Sequence, residues 1–398
     1  MQEWMQVEAG SPDAPVVRLI QTIFEDAVQA RASDIHIEPQ EKRLVIRLRI
    51  DGVLHAQAEA ELTVAQAIAM RLKIVSGLDI SEKRLPQDGR FQIKVKDKPL
   101  DVRLSILPTQ YGESIVMRLL NYDATLLDLD RLNMPSEVLE RYRRIIARPH
   151  GLILVTGPTG SGKTTTLYAS LAALNSVERK IITVEDPVEY RLPGVMQVQI
   201  NDKIDLTFAR ALRSILRQDP DVVLVGEMRD TETAQIGLRA AITGHLVFST
   251  LHTNDAASTP VRLIDMGAPR FMVATALQAV LAQRLVRRIC PNCARPYMPT
   301  PTERQWIAAM GHQGQQDWRF GSGCSHCHHT GYQGRLAVHE LLEMTPELAL
   351  AANHDDPKTF LQAAHAALAG RTLGHQALRL AAAGQTTLQE AMRIGYEV

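Results

Sequence analysis

An octapeptide near the middle of the chain, residues 157–164, reads GPTGSGKT. It fits the phosphate-binding loop (P-loop) pattern G-x-x-x-x-G-K-[ST], and the apolar run 152–155 before it supplies the strand that this loop follows. In such a loop backbone N–H groups surround a phosphate chain, the lysine reaches the β- and γ-phosphates, and the final hydroxyl ligates Mg²⁺. The alternative, a glycine-rich turn followed by a chance Lys-Thr, is disfavoured by that strand. The sequence therefore predicts that ATP or another nucleoside triphosphate binds through Gly157, Pro158, Thr159, Gly160, Ser161, Gly162, Lys163, Thr164 and Thr165.

Length and charge limit the classes of protein to which this chain can belong. Its 398 residues are enough for two or three domains with cores of their own. Lys plus Arg and Asp plus Glu each total 44, so no global field attracts nucleic acid or anionic lipid. No run approaches the roughly 20 apolar residues of a membrane span, and the first residues do not resemble a signal peptide. We expect a cytoplasmic protein that reaches a membrane through partners and does not insert into it.

Changes in hydrophobic period divide the chain. Helical spacing starts at Val16, whereas apolar and polar residues alternate before Asp51-Gly52 and after Asp88-Gly89, which predicts strands with a turn at each dipeptide. Beyond Pro135, apolar runs alternate with helical stretches, which favours an α/β fold with a parallel sheet covered on both faces. The predicted segments are a lead-in at 1–15, an α+β domain at 16–120, a linker at 121–134, a P-loop ATPase core at 135–289, a tetracysteine element at 290–334 and a helical C-terminal region at 335–398.

Two of the apolar runs end in acidic residues. The run 222–225 is followed by Glu227. A P-loop enzyme needs an acid at this place to hold Mg²⁺ through a water ligand, and a second role for the same acid is to help activate the attacking water. The run 181–184 is followed by three carboxylates in the segment 185–189, which repel one another unless cations neutralise them. These carboxylates are candidates for orienting or deprotonating the attacking water. A solvated strand end and a solvated acidic turn are the alternatives.

Histidines and arginines lie close to the same runs. His245 and His252 bracket an apolar strand, and a histidine at the carboxyl end of a strand, facing the P-loop crevice, can sense the γ-phosphate. A hydrogen-bonded structural histidine is the alternative for either residue alone. Arg210, Arg213 and Arg217 fall at helical spacing and form one basic stripe, which suits either a solvated face or phosphate contacts from a neighbouring subunit.

Four cysteines fall in two C-x-x-C pairs, Cys290 with Cys293 and Cys324 with Cys327, separated by 30 residues. Each pair offers two thiolates to one side of a tetrahedron, so two pairs can close a structural Zn²⁺ site. The intervening loop is longer than in a compact zinc ribbon, which predicts that something folds inside it. Redox-active pairs are the alternative, and the nearby histidines are less favoured ligands because four thiolates suffice.

Several motifs together resemble the GspE/PilB family of ATPases, which power type II secretion and type IV pilus assembly. The resemblance runs from about Ala14 to the C-terminus. Its motifs occur in the family's order and are SDIHIEP at 33–39, RLPQDGR at 84–90, GPTGSGKT at 157–164, TVEDPVEY at 183–190, LRQDPDVVLVGEMRD at 216–230, TGHLVFSTLHTNDA at 243–256 and the cysteine pairs.

The resemblance implies a RecA-like motor core in a homo-hexameric ring, coupled to a smaller α+β domain that moves with nucleotide state. It implies that Lys163 and Thr164 hold phosphate and Mg²⁺. Many relatives carry a further N-terminal domain that docks on the membrane complex or binds cyclic di-GMP, so this chain is expected to be a shortened form. The remaining roles implied are catalytic base for Glu189, Walker-B acid for Glu227, histidine box for His245 and His252, motor-domain phosphate contacts for Arg213, Arg217 and Arg229, and small-domain phosphate contacts for Arg103 and Arg118.

These observations lead to one main hypothesis and two rivals. The main hypothesis is a Mg²⁺-dependent ATPase, carrying Zn²⁺, that works with inner-membrane platform proteins in pilus assembly or type II secretion. The cysteine element favours pilus assembly over retraction, and residues 200–274 look most like motors of mannose-sensitive haemagglutinin pili. A RecA-like nucleic-acid translocase is one rival, which the zero net charge disfavours. A nucleotide-gated binding module that barely hydrolyses ATP is the other.

Overall fold

The computed structural model describes residues 14–96, 98–120, 127–311 and 316–396. Residues 1–13 of the expected lead-in and 121–126 of the expected linker lie outside the described residues. The chain divides into two compact units, Met1–Tyr122 and Asp123–Val398. The finer segment limits drawn from the sequence stay predictions.

Within its described residues, the N-terminal unit is a six-stranded antiparallel sheet with two α-helices. Its strand order is β3-β2-β1-β6-β5-β4. Apolar side chains alternate along the strands, so one face of the sheet packs with the helices into a single core and the other face is polar. The elements are α1 (Ala14–Gln29), β1 (Asp34–Pro39), β2 (Arg43–Ile50), β3 (Val53–Glu61), α2 (Ala65–Ser76), β4 (Gln87–Val95), β5 (Lys98–Thr109) and β6 (Gly112–Leu120).

One of the two predicted turns in this unit is wrong. Asp51-Gly52 does join β2 to β3, with positive φ at both residues. Asp88-Gly89, however, lies inside β4, where it pairs with Ser105 and Leu104 of β5. A Cβ on Gly89 would lie 2.9 Å from the Cβ of Ser76, so this glycine lets the strand pass close to the end of α2.

The C-terminal unit is a seven-stranded mixed sheet with helices on both faces. The strand order is β15-β12-β7-β11-β10-β8-β9; the strands from β12 to β9 are parallel, and β15 is antiparallel to β12. The strands of this unit are β7 (Gly151–Thr156), β8 (Ile181–Glu185), β9 (Met196–Gln199), β10 (Val222–Val225), β11 (Leu246–Leu251), β12 (Leu277–Ile289), β13 (Ala294–Pro296), β14 (Arg319–Gly321) and β15 (Tyr332–Glu343). Its helices are α3 (Ser136–Ile146), α4 (Lys163–Leu174), α5 (Phe208–Ile215), α6 (Thr231–Ile242), α7 (Ser258–Asp265), α8 (Arg270–Ala276), α9 (Pro301–Ala309), α10 (Pro346–Ala352), α11 (Pro357–Leu368), α12 (Leu373–Ala382) and α13 (Leu388–Tyr396).

Continuous apolar runs are the reason why the central strands are buried on both faces. Every residue of β7 is buried; Leu152 and Leu154 join the core on one side of the sheet, and Ile153 and Val155 join the core on the other. Such runs are typical of parallel strands covered on both faces. The prediction of an α/β sheet around the P-loop strand is therefore confirmed.

Two parts of this unit differ from the sequence-based expectation. The long strands β12 and β15 form one end of the sheet, and β15 lies mostly within the region expected to be helical. Leu129 and Leu132, in the expected linker, are buried in the core of this unit. Over the described residues, no helix combines the length and the apolar character needed to cross a membrane.

Candidate functional site

The candidate site lies where four neighbouring parallel strands end. In the order β7-β11-β10-β8, the carboxyl ends are followed by the P-loop, by His252, by Gly226-Glu227 and by the acidic segment 186–189. Parallel strands deliver their carboxyl ends to one edge, and this edge is the usual place of binding in open α/β sheets.

The P-loop leaves β7 and leads directly into α4. Gly157 and Gly162 have φ of +145° and +90°, conformations that residues with a Cβ rarely adopt. Lys163 Nζ donates to the carbonyl oxygens of Gly157 and Pro158 at 2.8 and 3.0 Å. Burial lowers the pKa of Lys163 to about 8, with the Glu227 carboxylate raising it and Arg284 lowering it. The ammonium is thus held over the loop, at the place where a phosphate chain needs a cation.

Glu227 is the centre of a charged cluster beside the P-loop. Its carboxylate lies 2.5 Å from Nη2 of Arg229 and 3.8 Å from Nε2 of His252. Arg229 also approaches Asp186, at 3.9 Å, and the bond to Glu227 raises the pKa of this guanidinium. The Glu227 side chain is only 15% exposed, whereas those of Arg229 and His252 are 61% and 55% exposed. The side chains of Arg229 and His252 therefore lie over the mostly buried Glu227 carboxylate.

The acidic segment is anchored to the P-loop helix by a buried hydrogen-bond network. Tyr168, on α4, donates its hydroxyl to Glu185 at the end of β8. Thr183 and Gln197 also donate to this carboxylate, at 2.5 and 3.2 Å. Burial and the negative charge of Glu185 raise the pKa of Tyr168, so its hydroxyl stays protonated. The backbone N–H of Glu189 also contacts the Tyr168 hydroxyl at 3.4 Å, so this network positions the segment that carries Glu189.

The donors at this edge fit a triphosphate with Mg²⁺. The hydroxyl oxygens of Thr156 and Ser161 are buried and have no hydrogen-bond partner within the described part of the chain. Buried polar atoms usually have one, so these two are suited to a ligand at the P-loop. The Thr164 hydroxyl and the Glu227 carboxylate are hard oxygen donors, which Mg²⁺ prefers.

Not every predicted site residue lies at this edge. His245 precedes β11, where its Nδ1 lies 3.1 Å from the carbonyl oxygen of Ala240, and β11 separates it from His252 by roughly 20 Å. Arg213, on α5, pairs with Glu232 of α6, and both side chains are at least half exposed. Arg217 follows α5 and donates to the Arg213 carbonyl at 2.9 Å. The edge formed by the carboxyl ends of the parallel strands thus includes Arg229 and His252 but not His245. The basic stripe of Arg210, Arg213 and Arg217 faces solvent.

Arg103 and Arg118 lie on the N-terminal unit, directly opposite each other on β5 and β6. Arg118 Nε donates to Asp34 at 3.0 Å. Like charges directly opposite each other destabilise a sheet, and Asp34 offsets this in part.

The four cysteines form one compact cluster. Their sulfur atoms all lie within 4.8 Å of one another, with Cys290–Cys324, Cys293–Cys327 and Cys324–Cys327 at 3.9, 3.8 and 3.7 Å. Tetrahedral Zn²⁺ with Zn–S bonds near 2.3 Å requires S–S separations of about 3.8 Å. The Cys327 sulfur accepts backbone N–H bonds from Cys324 and Gly331 at 3.2 and 3.3 Å. Although burial acts to raise the pKa of Cys327, these bonds lower it to about 7, whereas burial raises the pKa of Cys290 and Cys293. The sulfur geometry is therefore the observation that fits a bound metal.

Three residues at this site were missed in the sequence. Tyr168 lies in the helix that follows the P-loop, and Gln283 and Arg284 lie on β12, a strand that was not predicted. The available signal was a Gln-Arg pair inside the otherwise apolar run 279–286. Polar residues in such a run are rarely buried without a hydrogen-bonding role.

Comparisons with known proteins agree with this geometry. The profile of a family described as "Type II/IV secretion system protein" matches residues 10–393. "Type II secretion system protein E" of Dickeya dadantii is 48% identical over 391 residues, which are 98% of this chain and 77% of the relative. "Type II secretion system ATPase E" of Vibrio cholerae is 46% identical over 385 residues, or 97% of this chain and 76% of the relative.

Solved structures share the fold. The pilus retraction motor PilT, crystallised with bound ADP, is 28% identical with a TM-score of 0.62, over 94% of this chain and 96% of that one. The ATPase DotB of Legionella pneumophila has a TM-score of 0.72 at 21% identity, over 99% of both chains, and supports the fold alone.

Proposed function

The chain belongs to the type II/IV secretion system protein family, and from this premise we propose how its residues hydrolyse ATP and what this hydrolysis drives. The chain is an ATPase of the secretion and pilus motor class. We propose that it serves a type II secretion system, in keeping with the names of relatives at 46–48% identity. The observation that carries the mechanism is the meeting of P-loop, Glu227, His252 and acidic segment at one edge of the sheet.

ATP binding rests on the P-loop. Residues 157–165 surround the phosphate chain with backbone N–H groups, and Lys163, whose ammonium already lies on the loop carbonyls, turns to the β- and γ-phosphates. Mg²⁺ would be held by Thr164 and, through water, by Glu227, and would offset negative charge on the β- and γ-phosphates.

Hydrolysis needs a base that accepts a proton from the attacking water, and donors or cations that offset the negative charge on the phosphates during the reaction. Glu189 accepts the proton of the water, and the Tyr168–Glu185 network keeps its segment in place. His252 and Arg229, both beside Glu227, contact the γ-phosphate side of the site. His245 is left out of this proposal because it lies at the opposite edge of the sheet.

Further arginines come from outside this edge. We assign Arg103 and Arg118 of the N-terminal unit, and Arg213 and Arg217 of the exposed stripe, to phosphate contacts made when the motor is assembled. The assembled form is a homo-hexameric ring in the cytoplasm, where ATP is supplied and thiols stay reduced. The ring acts on inner-membrane platform proteins of the export machinery. Zn²⁺ held by Cys290, Cys293, Cys324 and Cys327 stabilises the element that carries them.

Phosphate release by the purified protein with Mg²⁺-ATP tests this function. Wild type should turn over steadily, and Lys163→Ala should fall to background, because the phosphate charge loses its fixed cation. Lys203→Ala, which removes an exposed lysine from a turn of the same unit, is the matched control and should be unaffected. Wild-type protein without turnover would contradict the proposal in favour of a nucleotide-gated binding module. Strong stimulation by single- or double-stranded DNA would favour a nucleic-acid translocase instead.

A further inference from the structure

Two successive polar side chains of β12, Gln283 and Arg284, lie deep beside the P-loop. Each residue is only 3% exposed. β12 pairs with β7 as far as Ala282 and Thr156, so both residues lie just beyond the last pair, alongside the loop that follows β7. Burying an amide and a guanidinium costs free energy unless both are hydrogen-bonded. The hydrogen-bond partners of Gln283 and Arg284 therefore indicate the role of each side chain.

Gln283 joins the P-loop to the helix that follows it. Its Nε2 donates to the carbonyl oxygen of Ser161 at 2.8 Å, and its Oε1 accepts from the buried Thr166 hydroxyl at 2.7 Å. A Cβ on Gly162 would lie 2.7 Å from Nε2 of Gln283, so the amide packs directly against the loop backbone. One side chain thus fixes both the last turn of the P-loop and the first turn of α4.

Arg284 joins the P-loop strand region to the segment after His252. Its Nη2 donates to the carbonyl oxygen of Asn254 at 2.7 Å, and its Nη1 donates to the carbonyl oxygen of Gln283 at 3.1 Å. A Cβ on Gly157 would lie 3.1 Å from this Nη1, so the guanidinium also lies against the start of the loop. Asn254 follows His252 by two residues, which connects the guanidinium to both sides of the candidate site.

The same segment is held at its other end. The backbone N–H of Ala256 donates to Oε1 of Glu340 on β15 at 2.8 Å. Oε2 of Glu340 accepts from the backbone N–H of Leu373 at the start of α12, at 3.0 Å. Arg284 from β12 and Glu340 from β15 thus both bind the backbone of residues 252–256, and Arg284 also lies against the P-loop.

We propose that Gln283 and Arg284 are positioning residues for ATP hydrolysis: Gln283 holds the P-loop in its phosphate-binding shape, and Arg284 couples this loop to the segment that carries His252. The coupling rests on the proposed role of His252, whereas the role of Gln283 does not. A guanidinium presents its N–H donors in a rigid planar fork, and the compact ammonium of a lysine on its flexible stem does not reproduce that geometry. A positive charge at position 284 is therefore not sufficient to keep the contacts of Arg284 in place.

Steady-state kinetics of Gln283→Leu and Arg284→Lys test the positioning. We expect kcat to fall about 10- to 100-fold in both, since small misplacements of reacting groups have effects of this size. In Arg284→Lys, where the cation is kept, the affinity for a fluorescent ATP analogue should stay within about threefold. Gln278→Leu and Arg288→Lys, the same changes on the same strand outside the P-loop contact, are the controls and should keep wild-type kcat.

Hydrogen exchange and thermal unfolding separate positioning from simple loss of stability. Positioning predicts faster exchange of the amides at 157–166 in Gln283→Leu and at 252–257 in Arg284→Lys, while the rest of the C-terminal unit keeps its protection. If Gln283→Leu does not fold, Gln283→Glu replaces it, since a carboxylate still accepts from Thr166 but cannot donate to Ser161. Wild-type kcat in both folded variants, or losses of activity that only follow the folded fraction, would overturn the proposal.

A double-mutant cycle tests the coupling. Arg284→Met and His252→Ala are measured singly and together, and coupling predicts a double variant scarcely slower than the slower single one. Multiplicative losses in kcat would overturn the coupling and leave the proposed role of His252 intact. Wild-type kcat in His252→Ala would contradict that role and, with it, the coupling, while the result for Gln283→Leu would still decide the role of Gln283.

Discussion

The carboxylate of Glu227 lies 2.5 Å from Arg229 and 3.8 Å from His252. We expect the water of bound Mg²⁺ to compete with Arg229 for these oxygens, because both donate hydrogen bonds to the carboxylate. Removing the charge from this carboxylate should therefore affect turnover more than binding, since the P-loop still holds the phosphates.

We predict that Glu227→Gln retains bound ATP but loses at least about 100-fold in kcat. The amide keeps the size of the side chain but cannot hold Mg²⁺ water as a carboxylate does. Single-turnover hydrolysis and a nucleotide-binding titration measure the two effects separately. Glu178→Gln, at an exposed position before β8, is the control. Normal hydrolysis by Glu227→Gln would remove Glu227 from the mechanism.

His339 is a buried residue whose charge state matters for stability. It lies on β15 opposite Gln283, and neither ring nitrogen has a hydrogen-bond partner among the described residues. Burial lowers its pKa to about 3. The folded protein thus keeps this ring neutral, whereas the unfolded chain protonates it below its ordinary pKa of 6.5. The associated stability is fully present above pH 6.5 and is lost as the pH falls toward 3.

We predict that His339→Leu removes this part of the pH dependence. Between pH 7.5 and 5.5, the wild-type free energy of unfolding should fall by about 1.4 kcal/mol more than that of the variant, since each pKa unit corresponds to about 1.4 kcal/mol. Urea denaturation of both proteins at the two pH values measures the difference. Equal pH dependence would show that the imidazole is not kept neutral by burial.

At the level of elements, the cysteine cluster brings together the two ends of a loop of 30 residues. Between the two C-x-x-C pairs, the described residues form α9 and a small sheet of β13 and β14, which confirms that something folds inside the loop. The helix begins with a capping box of Thr300 and Glu303. The cluster itself is small and has few apolar contacts beyond its own cysteines. We therefore expect a bound metal to supply much of its cohesion.

We predict one Zn²⁺ per chain, lost on Cys293→Ser. Structural zinc sites contribute folding free energy on the order of 10 kcal/mol in small domains, so metal removal should loosen this element first. Chelation followed by hydrogen exchange should raise exchange at 290–331 while the P-loop and α4 keep their protection. Metal analysis by mass spectrometry gives the stoichiometry. Metal-free protein with the cysteines paired as disulfides would favour the redox alternative.

At the scale of the whole molecule, the arginines proposed to contact phosphate are more numerous than the binding of one triphosphate at a P-loop requires. Arg103 and Arg118 lie on one compact unit, and Arg229 and the exposed Arg213 and Arg217 lie on the other. An arginine supplied from outside a P-loop domain is worth about 10³–10⁵ in rate in other P-loop enzymes, and it links hydrolysis to the position of the part that carries it.

We predict that hydrolysis depends on assembly. Arg103→Ala should bind nucleotide within a few-fold of wild type but hydrolyse it far more slowly. Mixing Arg103→Ala chains with Lys163→Ala chains should restore part of the activity if arginines cross between subunits. Specific activity measured against concentration should fall as the protein is diluted to monomers. Activity that is constant on dilution, with no recovery on mixing, would argue for a site complete within one chain.

The sequence by itself determined the P-loop, the apolar runs that form β7, β8, β10 and β11, and the cysteine pairs. These are local signals: GPTGSGKT specifies a loop through its own glycines, and runs such as 222–225 are apolar because both faces of their strand are buried. The motifs also carried the resemblance to the secretion family, which the comparisons confirm. The domain limits and the roles of the site residues stay predictions.

Only the tertiary structure decided which residues share a site. His245 and His252 look equivalent in the sequence, yet opposite ends of one strand separate them. Asp88-Gly89 has the composition of a turn, but pairing with β5 overrides that local preference. The roles of Gln283, Arg284 and Tyr168 do not follow from a local pattern, because they depend on strands and helices brought together from distant parts of the chain. Periodicity reports which face of an element is buried, whereas contacts between elements are set by how the whole chain packs.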